Sequence, residues 1–276
     1  MRALVLGGGG LTGIGWEWGI IAGLAAAGID LTTADLVVGT SAGSVVGAQL
    51  ASGADPEERL IFQLRPPDSE LAARMRPLTT ARWGWAILRS RDARQAGRNL
   101  GRVALTSRTV PESVRREVIA SRLPVKIWPQ RALRITAVDA DSGERAVFDR
   151  NSGVELVDAV AASCAVPGVW PPVTIDGRRY IDGGVRSPAN ADLAAGADRV
   201  VILAPIARGF GPITPVDRQA AELRTRARVV VVQPDAAAVR AIGHNVLDPA
   251  RRPGAARAGR AQAESHAASV REVWSA

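Results

Sequence analysis

Three short stretches of the sequence hold the residue types that could do covalent chemistry on an ester. The first is Gly39-Thr40-Ser41-Ala42-Gly43, which fits G-x-S-x-G and directly follows an apolar run. On a sharp strand-to-helix turn a serine projects its hydroxyl outward, and side chains two residues to either side would collide, so glycines stand there. The helix that follows would set its positive end and free N–H groups beside a developing oxyanion. The same five residues also fit a plain Gly/Ser turn. The second stretch is Gly7-Gly8-Gly9-Gly10-Leu11-Thr12-Gly13. Gly8, Gly10 and Gly13 satisfy G-x-G-x-x-G, which reads as a loop for NAD or FAD; that use requires an acidic residue ending the next strand to hold a ribose. Here the next strand ends in Gly39-Thr40-Ser41, whereas Asp30 and Asp35 precede it. As an oxyanion hole, the bare N–H groups of Gly9, Gly10 and Leu11 would face a carbonyl oxygen, and successive glycines leave the approach open. Adjacent parallel strands bring both loops to one end of a sheet, which favours the oxyanion reading.

A serine needs a proton acceptor, and histidine is the usual one. The chain has two, His244 and His266, both near its C-terminus and neither in a strand-end loop of the sequence pattern. The third stretch, Asp182-Gly183-Gly184, follows an apparent strand at 179–181, and its glycines leave room around the carboxylate. An aspartate can take the serine proton directly when the two side chains lie within hydrogen-bond reach. The triplet also reads as an Asp-Gly turn closing a hairpin.

The elements that must position these residues read as α/β. Strand signals fall at 3–6, 36–38, 133–138, 146–148, 200–203 and 229–232, with a hairpin at 173–175 and 179–181 around Asp176-Gly177. Helical signals fall at about 15–27, 43–51, 155–164 and 190–195. Strand, tight glycine loop and helix, repeated, predict a mainly parallel central sheet with helices on both faces, a three-layer α/β/α fold. Residues 55–125 break the rhythm and predict a helical, lid-like insertion after the nucleophile helix. Residues 249–276, rich in Ala, Arg and Gly, predict a partly mobile helical tail. With no internal repeat or linker, the 276 residues are expected to form one domain.

Composition limits the alternatives. The single cysteine, Cys164, excludes an internal disulfide and a multi-cysteine metal site. No run approaches the ~18 apolar residues that cross a bilayer, and the start lacks a secretory leader pattern, so a cytoplasmic protein is expected. Net charge is +8, carried by arginine, since Lys126 is the only lysine. Residues 74–108 hold nine arginines and one acid, Asp92, so that segment accounts for the imbalance. Arg91, Arg94, Arg98 and Arg102 share one stripe of a helix: either a solvated face or a docking surface for anionic lipid. A nucleic-acid partner is disfavoured, because aromatic residues are only 4% and no binding motif is present.

Taken together, the glycine loop, G-x-S-x-G about 30 residues later and D-G-G well downstream resemble the patatin-like phospholipase family, as does AASCAVPGVWPP at 161–172. The resemblance spans about residues 3–205. It implies a Ser41–Asp182 dyad, an oxyanion hole from the N–H groups of Gly9, Gly10, Leu11 and Ala42, and hydrolysis of lipid esters without metal or cofactor. Thr12 departs from the pattern, because family members usually carry Arg or Lys there. Cys164 stands where a serine is common and reads as a small buried packer. Trp16 and Trp18, beside the loop, fit either an acyl channel or buried packing.

Overall fold

Burial along the first strand sets the architecture. In β1 (Arg2–Leu6), Leu4 and Leu6 enter one core while Ala3 and Val5 enter another. A strand whose two faces are both apolar must be covered on both sides. The computed structural model describes residues 1–66, 70 and 73–275. After β1 come α1 (Gly10–Ala26), β2 (Leu36–Thr40) and α2 (Ala42–Ala51). A helical stretch follows, with α3 (Pro56–Leu64), α4 (Pro77–Leu88), α5 (Ala93–Leu105) and α6 (Glu112–Arg122). Next are β3 (Ala132–Asp139), β4 (Arg145–Phe148), α7 (Leu156–Ser163), β5 (Val173–Ile175) and β6 (Arg178–Asp182). The chain ends with β7 (Arg199–Leu203), α8 (Val216–Arg224), β8 (Arg228–Val232), α9 (Ala236–Ile242) and α10 (Arg252–Trp274).

The eight strands form one sheet in the order β5-β6-β3-β2-β1-β7-β8, with β4 also paired to β3. β3, β2, β1, β7 and β8 run parallel, and β4, β5 and β6 pair antiparallel. α1, α2, α7 and α10 cover one face, and α8 with a 3-10 turn at Ala191–Ala194 covers the other. The three-layer α/β/α arrangement expected from the sequence is therefore the fold. β1 lies between β2 and β7, so the chain changes direction across the sheet at β1, the point where ligands bind in open α/β sheets.

Several elements differ from the sequence reading. α1 begins at Gly10, inside the glycine loop. Glycine weakens a helix by about 1 kcal/mol against alanine, but here its missing side chain lets the first turn pack closely: a Cβ on Gly13 would stand 3.3 Å from that of Ala42. The expected helix at 190–195 is only the short 3-10 turn, entered through Asn190 in a left-handed conformation. The tail expected to be mobile is α10, a 23-residue helix packed on α1. Gly15, Gly19 and Gly23 present a bare stripe on which α10 lies backbone to backbone: a Cβ on Gly15 would fall 2.7 Å from the Arg252 carbonyl oxygen. Trp16 and Trp18 are fully buried, with their indole N–H groups donating to Gln262 and Gln49, so they pack the core and line no acyl channel. Residues 67–69, 71 and 72 of the expected insertion lie outside the described residues, as does Ala276 of the tail. The described residues of 55–125 contain no strand.

Candidate active site

Strand register delivers the three motifs to one place. Leu6 of β1 pairs with Gly39 of β2, so the glycine loop and the Ser41 turn leave the sheet side by side. Thr40 pairs with Thr136 of β3, and the next residue, Ala137, pairs with Asp182 of β6. Asp182 thus stands one step along β3 from the neighbour of Ser41. Both side chains line a cleft of about 300 Å³.

The turn at Ser41 is strained. Its φ is 53° and ψ −116°, a backbone conformation that L residues rarely adopt and that surrounding structure must enforce. Gly39 and Gly43 supply that enforcement by packing without side chains. A Cβ on Gly39 would come within 2.6 Å of the Gly43 carbonyl oxygen, and one on Gly43 would overlap the Leu6 carbonyl. The Gly43 N–H donates to Gly7 O (3.0 Å), locking the turn to the glycine loop. Ser163 Oγ accepts from the Ser41 N–H at 2.8 Å, and the Ser44 hydroxyl donates to the Ser41 carbonyl at 2.6 Å. Ser163 was missed in the sequence, although it lies inside the 161–172 stretch. Cys164 Sγ lies 3.3 Å from the same carbonyl, and burial pushes its thiol pKa up, with the Asp182 charge adding to the shift. Cys164 is a buried, protonated packer against the Ser41 turn, as the sequence suggested.

Asp182 is 5% exposed. Burial raises its carboxyl pKa to about 6, while the nearby Ser41 hydroxyl and the hydrogen bond from the Gly184 N–H hold it down. The Gly184 bond to Oδ1 is 2.7 Å, and a Cβ on Gly184 would crowd that oxygen at 3.0 Å. Gly183 must be glycine for another reason, since a Cβ there would overlap the Thr136 hydroxyl. Below it, Asn190 Nδ2 donates to the Gly183 and Ser187 carbonyls and to the Thr40 and Thr136 hydroxyls. The Asp182 N–H donates to Ala165 O, so the end of α7 and the turn after it brace both Ser41 and Asp182.

Around Ser41 the N–H groups of Gly9, Gly10, Leu11 and Ala42 have no hydrogen-bond partner among the described residues. They belong to the first turns of α1 and α2 or immediately precede them, where backbone donors are free and the helix dipole is positive. Gly8 Cα lies against the serine: a Cβ on it would sit 3.5 Å from Ser41 Cβ. Thr12 turns inward, its hydroxyl directed at the carbonyls of Gly9 (3.4 Å) and Val246 (3.3 Å), so it fastens the loop.

Two cavities meet at Ser41 and Gly10. The larger is the cleft, walled by Met75, Trp83, Val166, Ile206, Phe210 and Ile213. The smaller, about 20 Å³, is bordered by Leu11, Ala42, Cys164, Trp170 and two arginines, Arg115 and Arg122. His244 also lies on the cleft wall, which the sequence did not suggest, but it is exposed and has no hydrogen bond among the described residues. His266 sits on α10 against Gln262 and lines neither cavity.

A strained serine after a parallel strand, a buried carboxyl in the same cleft and a rim of unpartnered N–H groups are the parts that acyl-transfer chemistry calls for. The model of the patatin-like phospholipase family matches residues 4–195, and the chain belongs to that family. Membership makes it a lipid acyl hydrolase in class and removes the dinucleotide reading of the glycine loop. Among solved structures the chain is similar to VipD from Legionella pneumophila (TM-score 0.49, 14% identity, 97% of this chain and 67% of that one). It is also similar to the type III effector protein ExoU (TM-score 0.46, 18% identity), covering 98% of this chain and 53% of that one. A third likeness is to full-length ExoU from Pseudomonas aeruginosa in complex with SpcU (TM-score 0.38, 20% identity, 93% and 52%).

Proposed function

We propose that this protein hydrolyses carboxylic esters of lipids through Ser41 as nucleophile and Asp182 as its base. Ser41 Oγ attacks the ester carbonyl while its proton passes to the Asp182 carboxylate. The tetrahedral oxyanion takes hydrogen bonds from the N–H groups of Gly9, Gly10, Leu11 and Ala42. Collapse breaks the ester C–O bond, Asp182 returns the proton to the leaving alcohol, and an acyl-serine remains. Water then attacks the acyl-serine, giving its proton to Asp182, and the released serine oxygen recovers that proton as the fatty acid departs. The observation that carries this reading is that the strained Ser41 and the buried Asp182 carboxyl, its pKa raised to about 6, line the same cleft. Such a carboxyl is ionised at neutral pH yet basic enough to accept a proton.

The apolar cleft suits an acyl chain, and its lining continues outward. Met75, Trp83 and Phe210 line both the cleft and an adjoining groove with Ile87 and Leu88. Leu88 and Phe210 of that groove are 78 and 67% exposed, and Leu78 and Trp85 of the same helix as Leu88 are 73 and 61% exposed. Arg76, Arg89 and Arg91 are exposed beside them. This mixture of apolar side chains and cations supports docking on an anionic lipid surface. The arginine stripe contributes less than its spacing suggests. Arg94, Arg98 and Arg102 are exposed on α5, but Arg91 precedes the helix cap at Asp92, and Arg94 pairs with Glu144.

The dyad is tested by ester turnover. Ser41→Ala and Asp182→Asn are each expected to lose on the order of a thousandfold in kcat with the fold intact, while His244→Ala and His266→Ala keep most activity. A dead His244→Ala beside an active Asp182→Asn would move the base to His244.

A further inference from the structure

The smaller cavity contains a charge that the fold does not explain. Arg115 reaches it from α6, and its residue is only 4% exposed. Its guanidinium stacks on the Trp170 ring at 3.8 Å, yet Nε and Nη1 are buried without a hydrogen-bond acceptor. It has no carboxylate partner among the described residues. The neighbouring acid, Glu70, is taken by Arg122 at 2.5 Å, with Arg252 at 3.6 Å. The charge of Arg122, after burial, is what lowers the Arg115 pKa to about 10. The next residue along α6 shows the contrast: Arg116 is more exposed and pairs with both Asp158 and Glu155.

A buried cation without an acceptor is costly to the fold, and removing such a group often stabilises a protein. Arg115 lines a space of about 20 Å³, close to the volume that holds one water molecule or one oxygen atom. That space is bordered by Ser41 and by Gly10, Leu11 and Ala42, whose N–H groups are also unpartnered. We propose that Arg115 is held beside Ser41 to bind one negatively charged oxygen of the reacting substrate. The oxygen belongs either to the tetrahedral adduct or to a phosphodiester next to the scissile ester. Both present the same chemistry to a guanidinium, and the inference rests on Ser41 being the nucleophile.

The test compares Arg115→Met with the parent on p-nitrophenyl butyrate, which is neutral, and on dihexanoyl phosphatidylcholine, which carries a phosphodiester. Arg115→Met is expected to melt at or above the parent temperature and to lose about 100-fold in kcat/KM. Arg115→Lys is expected to recover part of that loss. Equal loss on both esters assigns the oxygen to the tetrahedral adduct, and loss on the phospholipid alone assigns it to the phosphate. Parental turnover of both esters would overturn the proposal. So would an Arg115→Met protein that melts well below the parent or does not fold, because the guanidinium would then serve the structure. Ser41→Ala separates the two claims. If it remains active, the nucleophile reading itself fails; if it is dead while Arg115→Met is unaffected, only this inference falls.

Discussion

The two sides of the cleft are built in opposite ways. On the sheet side, the positions of Ser41 and Asp182 are over-determined. Register, four glycine contacts and hydrogen bonds with Ser163, Ser44, Gly184 and Asn190 fix the serine and the carboxylate within one network. On the helical side, α4 is held by a few polar ties, including Trp83 Nε1 to Pro167 O and the Arg82 guanidinium to Ser107 and Thr106. Its Leu78, Trp85 and Leu88 face solvent. Acyl transfer needs reacting atoms held to a fraction of an ångström, whereas a surface that meets lipid needs exposed apolar area and cations. One side is shaped by geometry, the other by solvation.

Substitutions should therefore divide by side. The largest effect is expected at Gly43, where a methyl group must displace the Leu6 backbone of the central strand. Gly43→Ala should destabilise by about 4 kcal/mol or more, read by urea unfolding; near-parental stability would mean that the turn is not locked. Asp182→Asn should have the opposite sign. A carboxyl whose pKa rises on folding, here from 3.8 to about 6, contributes stability that is present below the unfolded value and lost as pH rises through the folded one. The ionised group thus costs the parent about 3 kcal/mol at pH 7.5. Asp182→Asn should be more stable than the parent there, with the gain disappearing near pH 4. On the helical side, Trp85→Glu with Leu88→Glu should lower turnover of anionic phospholipid vesicles about tenfold while leaving a small soluble ester within about twofold. Charge reversal of Arg98 and Arg102 should be milder, about threefold at low salt and fading as salt rises.

Legibility in the sequence followed the same division. The sheet side could be read because it is written in residues with few substitutes: glycines flanking Ser41 and following Asp182, and apolar, mostly β-branched runs such as 36–38 and 200–203. Each marks a local steric demand. What escaped depends on contacts between distant segments. Ser163 meets Ser41 only because α7 packs behind α2, and His244 reaches the cleft only through the turn after α9. The tail misled because its composition resembles solvent-exposed sequence, while its small residues are what the bare glycine stripe of α1 accommodates. Trp16 and Trp18, which their place beside the loop left open between channel and core, are turned by the helix into the core. Arg115 carried no signal in an arginine-rich chain; only its burial sets it apart.

The central claim is that Ser41 is activated by Asp182. It is tested most directly by the rate at which a fluorophosphonate probe labels the protein, with the modified peptide identified by mass spectrometry. A single label on Ser41 is expected, with a labelling rate that falls as pH drops through about 6 and is lost in Asp182→Asn. Labelling of a different residue, or labelling of Asp182→Asn at the parental rate, would contradict it.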